Sequence, residues 1–155
     1  MKICMIGTGY VGLVSGACFA DLGNDVICVD KDIHKINNLK SGIIPIYEPG
    51  LNELIKKNYE TGRLKFSLNL KDAINKSSII FICVGTPQKK NDNSVNLNYI
   101  FNVAKQISKS IKSFKIIITK STVPVTTGDK IEKIISSKIS NKLFSVVSNP
   151  EFLRE

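Results

Sequence analysis

The segment Gly7-Thr8-Gly9-Tyr10-Val11-Gly12 is where the residue types of this sequence come nearest to dictating a chemistry. Three glycines at this spacing, directly after an apolar strand-like run and at the start of a helical pattern, suit a backbone that must approach a pyrophosphate. Gly7 permits the tight turn, Gly9 has no side chain to hold the phosphates off, and Gly12 lets the helix pack closely on the strand. The helix N-terminus then presents unpaired N–H groups and a partial positive charge, worth roughly 0.3–1 kcal/mol per anionic charge at an exposed site.

A second residue falls where this chemistry needs it. Asp30 ends the next strand-like run, 18 residues after Gly12, at the place of the acidic residue that bonds the adenosine ribose hydroxyls of a dinucleotide. A carboxylate there also repels the 2′-phosphate of NADP. At about 4 Å the repulsion costs about 1 kcal/mol in water and up to about 4 kcal/mol near a protein surface. The expected cofactor is therefore NAD.

Other residues carry less on spacing alone. Gly85-Thr86-Pro87 and Ser121-Thr122-Val123-Pro124 follow two further strand-like runs and read as turns. Glu151 and Glu155, standing free of any motif, would be surface charges. His34 falls on the outer face of a helical pattern. Cys4, Cys18, Cys28 and Cys83 form no CxxC pair and have no histidine at metal-ligand spacing, so all four are expected to pack as small hydrophobes. No metal site is expected.

The elements that must position these groups alternate between short apolar runs and longer helical ones, the pattern of a parallel α/β sheet. Strands are expected at Lys2–Gly7, Asp25–Asp30, Leu64–Ser67, Ser78–Val84, Phe114–Thr119 and Phe144–Ser148. Helices are expected at Val11–Leu22, from an Asp32 N-cap to about Leu39, at about Leu51–Tyr59, and at Leu70–Asn75, Leu97–Ile111 and Thr127–Ile139. The proline-rich segment Ile44–Leu51 is a loop, and Gln88–Asn96 a polar loop. Six strands with helical crossovers make two βαβαβ halves: a doubly wound, mostly parallel six-stranded sheet, the Rossmann dinucleotide-binding fold, occupying residues 1–155.

Composition narrows the function classes. With 43% hydrophobic and 23% charged residues the chain reads as one globular domain. The longest strongly apolar run, Ile79–Val84, is too short to cross a membrane, and the N-terminus lacks a secretory signal. A cytoplasmic protein with no membrane partner is expected. The net charge of +9 is spread over lysines, with Arg63 and Arg154 the sole arginines. A nucleic-acid footprint is clustered and usually arginine-bearing, so no nucleic-acid partner is expected. The field instead favours anionic ligands.

With the glycine turn and Asp30 in place, the whole chain resembles the UDP-glucose 6-dehydrogenase family. The matching segments run in family order: GTGYVG at Gly7–Gly12, VDKDIHKINNLKSG at Val29–Gly42, PIYEPGL at Pro45–Leu51, VGTP at Val84–Pro87, KSTVP at Lys120–Pro124 and NPEFLRE at Asn149–Glu155. The resemblance implies that Gly7, Gly9, Tyr10, Val11, Gly12, Asp30, Lys35, Gly85, Thr86, Pro87, Ser121 and Thr122 bind NAD. Lys35 would reach the ribose beside Asp30, and the hydroxyls of Thr86 and Thr122 would face the cofactor or an ordered water. It further implies catalytic roles for Thr122, Glu151 and Glu155, with a glutamate as general base or positioner of the hydrolytic water. Tyr10 and the Tyr47–Leu51 loop would help shape the site.

The implied reaction oxidises UDP-glucose to UDP-glucuronate with two NAD per turnover, a step of nucleotide-sugar metabolism and polysaccharide biosynthesis. The family's reaction passes through a thioester on a cysteine that lies after NPEFLRE. Its central dimerisation helix and UDP-sugar-binding domain also belong to that later portion. The chain alone is thus expected to bind NAD without turnover, and the full-length enzyme to be a homodimer that takes UDP-glucose or a related UDP-sugar. Two alternatives stand beside this one: a UDP-N-acetylmannosamine dehydrogenase of the same family, and a stand-alone, non-catalytic NAD-binding module.

Overall fold

A computed structural model describes residues 1–89 and 94–151. Strand β1 (Lys2–Ile6) leads through the glycine turn into α1 (Tyr10–Asp21), and β2 (Asp25–Val29) follows after a turn at Gly23. Then come α2 (Ile33–Lys40), α3 (Leu51–Glu60), β3 (Leu64–Ser67), α4 (Leu70–Lys76) and β4 (Ile79–Ile82). The chain continues with α5 (Asn98–Ser110), β5 (Lys115–Thr119), α6 (Thr127–Ser136) and β6 (Phe144–Ser148).

The six strands are all parallel, in the order β3-β2-β1-β4-β5-β6. That is the doubly wound order of the dinucleotide-binding fold, in which the sequence of strands runs outward one way from β1 and the other way from β4. Strand residues alternate between the two faces. Ile3, Met5 and Cys28 pack with Leu13 and Ala17 of α1 and with Leu51 and Ile55 of α3. Cys4, Ile6, Ile80, Ile82 and Ile117 pack on the other face with α4, α5 and α6. Burial on both faces accounts for the unbroken apolar runs of β1 and β4.

Local chemistry accounts for the element ends. The Asp32 side chain caps α2, as its position predicts, accepting from the N–H groups of His34 and Lys35 at 2.9 and 3.1 Å. The Asn69 side chain does the same for α4, accepting from Asp72 N at 3.0 Å. Expected and observed boundaries agree to within a residue or two, except that α6 stops at Ser136 rather than Ile139. Two features escape the sequence reading: a short 3-10 turn at Asn141–Leu143 and an antiparallel bridge between Gln88 and Val95 inside the expected polar loop.

One expectation is corrected. Cys4, Cys28 and Cys83 are buried, but Cys18 is exposed. The buried stripe of α1 is Gly12, Leu13, Gly16, Ala17 and Ala20, and Cys18 lies off it.

Candidate functional site: the carboxyl edge of the sheet

The glycines of the turn differ in what constrains them. Gly7 has φ +105, and a Cβ there would sit 2.6 Å from the carbonyl oxygen of Cys83. A Cβ on Gly12 would come within 2.0 Å of the Gly7 carbonyl oxygen. Both are therefore required by the chain's own packing. Gly9 is not: its φ of −74 suits any residue, and a Cβ would meet nothing within 4 Å. What a side chain at Gly9 would fill is open space over the start of α1. That helix has no side-chain cap on its N-terminus and no acidic residue in its first turn, which is an anion site in physical terms.

Asp30 stands opposite. Its Oδ2 accepts from the Thr8 N–H at 2.9 Å and from the Thr8 hydroxyl at 2.8 Å, and Lys35 Nζ lies 3.8 Å away. Its Oδ1 accepts from Asp32 N at 3.1 Å. Burial pushes the carboxyl towards its neutral form, but the Thr8 and Asp32 hydrogen bonds, with the Lys35 charge, outweigh it. The net effect holds the group below the ordinary aspartate range. Oδ1 keeps accepting capacity for a ligand hydroxyl.

Between the two lies a cleft of about 660 Å³. Gly7, Gly9, Asp30 and Lys35 line one part of it, and Gly85 and Tyr99 another. Lys31 Nζ sits 4.7 Å from the centre of the Tyr99 ring, a cation–π contact between two of the lining residues.

Beyond β4, side chains rather than glycines shape the edge. The Ser121 hydroxyl donates to the carbonyl of Val84 at 2.7 Å. The Thr86 hydroxyl donates to the carbonyl of Thr122 at 3.2 Å, and the Thr122 hydroxyl to the carbonyl of Glu151 at 2.7 Å. Lys120 Nζ binds Glu151 Oε2 at 2.5 Å with the lysine side chain only 12% exposed. The Lys120 charge also acts on Cys83, which lines the cleft. The loops after β4, β5 and β6 are thus tied into one surface. Cys83 itself is no nucleophile: burial drives its thiol up to about 12 against the pull of Lys120.

The family model for the NAD-binding domain of the UDP-glucose/GDP-mannose dehydrogenase family matches residues 1–155. The chain belongs to that family. It is 54% identical over 155 residues to a UDP-glucose 6-dehydrogenase of Rhizobium meliloti (strain 1021), covering all of this chain and 36% of the relative. A ternary complex of GDP-mannose dehydrogenase from Pseudomonas aeruginosa superposes with a TM-score of 0.93 at 40% identity, over 100% of this chain and 37% of that one. A UDP-glucose dehydrogenase from Pyrobaculum islandicum gives 0.92 at 35%, over 99% and 36%. The chain spans about a third of the length of the relatives it matches, and it is the family's NAD-binding domain.

The geometry fits that cofactor, with the Gly9 space and α1 N-terminus for phosphates and Asp30 for a ribose. Of the residues expected to bind it, Gly7, Gly9, Asp30, Lys35 and Gly85 line the cleft. Gly12 is buried under the turn, and Val11 packs against the core on the α1 face of the sheet. The Tyr10 hydroxyl donates to Glu48 Oε2, which ties the turn to the Pro45–Leu51 loop. Thr86, Pro87, Ser121 and Thr122 stand on the tied surface beside the cleft. Glu151 is there too, whereas Glu155 lies outside the described residues.

Two participants were missed by sequence reasoning, Thr8 and Lys120, whereas Glu48 lies in the Tyr47–Leu51 loop that was expected to shape the site with Tyr10. Thr8 and Lys120 were visible inside quoted motifs, as the middle residue of GTG and the first of KSTVP. Nothing in the spacing showed that each would meet a carboxylate 22 and 31 residues away.

Proposed function

We propose that this chain is the cofactor-binding part of an oxidoreductase that converts UDP-glucose to UDP-glucuronate with two NAD per turnover. NAD supplies the hydride acceptor when bound. Residues of the turn and cleft hold and orient it, while the surface beyond β4 faces the alcohol to be oxidised. Glu151, oriented by Lys120 through Oε2, offers its other oxygen to take a proton or to align the hydrolytic water. Thr122 commits its proton to the Glu151 carbonyl and keeps its lone pairs for a ligand donor. Glu155 belongs to the same catalytic segment. The remainder of the family pattern supplies the thioester-forming cysteine, the dimer helix and the sugar domain. The chain alone therefore binds NAD without turnover, in a cytoplasmic enzyme that is a homodimer at full length.

The observation that carries this reading is the half-buried Lys120–Glu151 pair with its Thr122 tether, beside the cofactor cleft. A module that only bound NAD would have no use for it. The test joins this chain to the remaining two thirds of the Rhizobium meliloti relative and follows NADH release with three sugars. Turnover with UDP-glucose is expected. Turnover with UDP-N-acetylmannosamine or GDP-mannose instead would reassign the substrate, and NAD binding with no turnover on any sugar would leave the non-catalytic module.

A further inference from the structure

The geometry points to Thr8 as the residue that sets the chain's preference for NAD over NADP, by holding Asp30 Oδ2 away from Lys35. This rests on the reading of Asp30 as the ribose ligand and extends it to a side chain that sits outside the cleft lining.

Thr8 and Lys35 compete for one oxygen. Oδ2 of Asp30 receives both the N–H and the hydroxyl of Thr8, at 2.9 and 2.8 Å, while Lys35 Nζ stops at 3.8 Å on the same atom. An ammonium in direct contact with a carboxylate sits at roughly 2.7–2.9 Å, so the Lys35 pair is stretched. Thr8 is fully buried and the Asp30 side chain is 13% exposed. Water therefore has little access to take the place of the hydroxyl. Two donors from one residue also fix the carboxylate plane, which turns Oδ1 outward with a single partner, Asp32 N. A fixed carboxylate whose lysine is held at 3.8 Å accepts ribose hydroxyls and repels a 2′-phosphate. If the hydroxyl of Thr8 were removed, Lys35 could close on Oδ2. The pair would then be locally neutral, and its ammonium would stand ready for the extra phosphate. The other charged group lining the cleft on this side is Lys31, which is stacked on Tyr99, and the Asp32 carboxylate is occupied as the α2 cap.

The experiment titrates NAD and NADP into the 155-residue chain and its variants by calorimetry. Thr8→Val keeps the shape and the N–H but loses the hydroxyl. The ratio of NADP to NAD dissociation constants should fall about tenfold. Thr8→Ser should restore it. The carboxyl of Asp30, followed by NMR in the cofactor-free chain, should titrate higher in Thr8→Val than in the parent or in Thr8→Ser. Asp30→Asn is the control on the underlying reading. If it leaves the ratio unchanged, the ribose assignment fails. If it collapses the ratio while Thr8→Val weakens both cofactors equally and leaves the Asp30 titration in place, Thr8 is a packing residue and the inference is overturned.

Discussion

The two halves of the sheet reach one binding edge by opposite means. On the β1–β2 side the geometry is made by what is missing: three glycines let backbone approach backbone and leave room over a helix end. On the β4–β6 side it is made by what is added, as Ser121, Thr86, Thr122 and Lys120 each spend a side chain on tying one loop to the next. At Gly7 and Gly12 a missing Cβ is an all-or-none device, because restoring it puts atoms where others already are. A hydroxyl tether is a graded one, because water or a neighbour can partly replace it. The first half should therefore fail abruptly on substitution and the second by degrees.

The largest effect tests the first half. Gly12→Ala places a Cβ 2.0 Å from the Gly7 carbonyl oxygen, a backbone atom that cannot swing aside. A loss of about 3–5 kcal/mol is expected in chemical denaturation. A loss under about 1 kcal/mol would mean that turn and helix are not packed as described. Gly9→Ala separates fold from ligand, since its Cβ meets nothing in the chain. The lost N-cap preference and the stiffer unfolded chain offset one another, so stability should move by less than about 1 kcal/mol. NAD affinity should still drop more than about tenfold, because the methyl occupies the room left for phosphates. Unchanged affinity by calorimetry would show that the space over α1 serves no ligand.

A third comparison sets a tether in each half side by side. Ser121→Ala removes a buried hydroxyl bonded to Val84 O and should cost about 1–2 kcal/mol at any moderate pH. The Thr8–Asp30 lock differs in being titratable. Its carboxyl lies below the ordinary range in the fold, so its contribution is complete above the unfolded value of about 3.9. It is lost as pH falls through the lower folded value. Urea melts of the parent and of Thr8→Val should therefore converge in strong acid, while those of the parent and Ser121→Ala stay apart. A gap for Thr8→Val that ignores pH would separate Thr8 from the Asp30 charge.

The same division decides what could be read from the sequence. Glycine devices are local: spacing, a preceding strand and a following helix display them in one line of text, and GTGYVG with Asp30 led to the fold and the cofactor. The doubly wound sheet followed as well, since six apolar runs with helical crossovers leave few ways to wind one. Tethers are non-local. Thr8 to Asp30, Tyr10 to Glu48 and Lys120 to Glu151 join residues 22, 38 and 31 positions apart, and no periodicity announces such a pair. The exposed Cys18 was misread for a related reason. In α1 so many residues are small or apolar that the pattern does not say which ones turn inward; the packing of Gly16 and Ala17 against the sheet does.

The smallest effect gives the most direct view of how the graded half works. Thr122 is exposed, and its hydroxyl holds the carbonyl of Glu151 at 2.7 Å while its own carbonyl accepts from Thr86 at 3.2 Å. In Thr122→Val, water can reach the freed carbonyl, so stability should fall by only about 0.5–1 kcal/mol. The Glu151 N–H still donates to the carbonyl of Lys120 at 3.1 Å, and the lysine still grips the carboxylate. The segment therefore stays attached but loses one of three restraints. Amide hydrogen exchange should show this as faster exchange at Glu151 with little change in β5. If exchange at Glu151 is unaltered, the lysine pair alone positions the glutamate, and the tether from Thr122 is a surface contact of no consequence for the site.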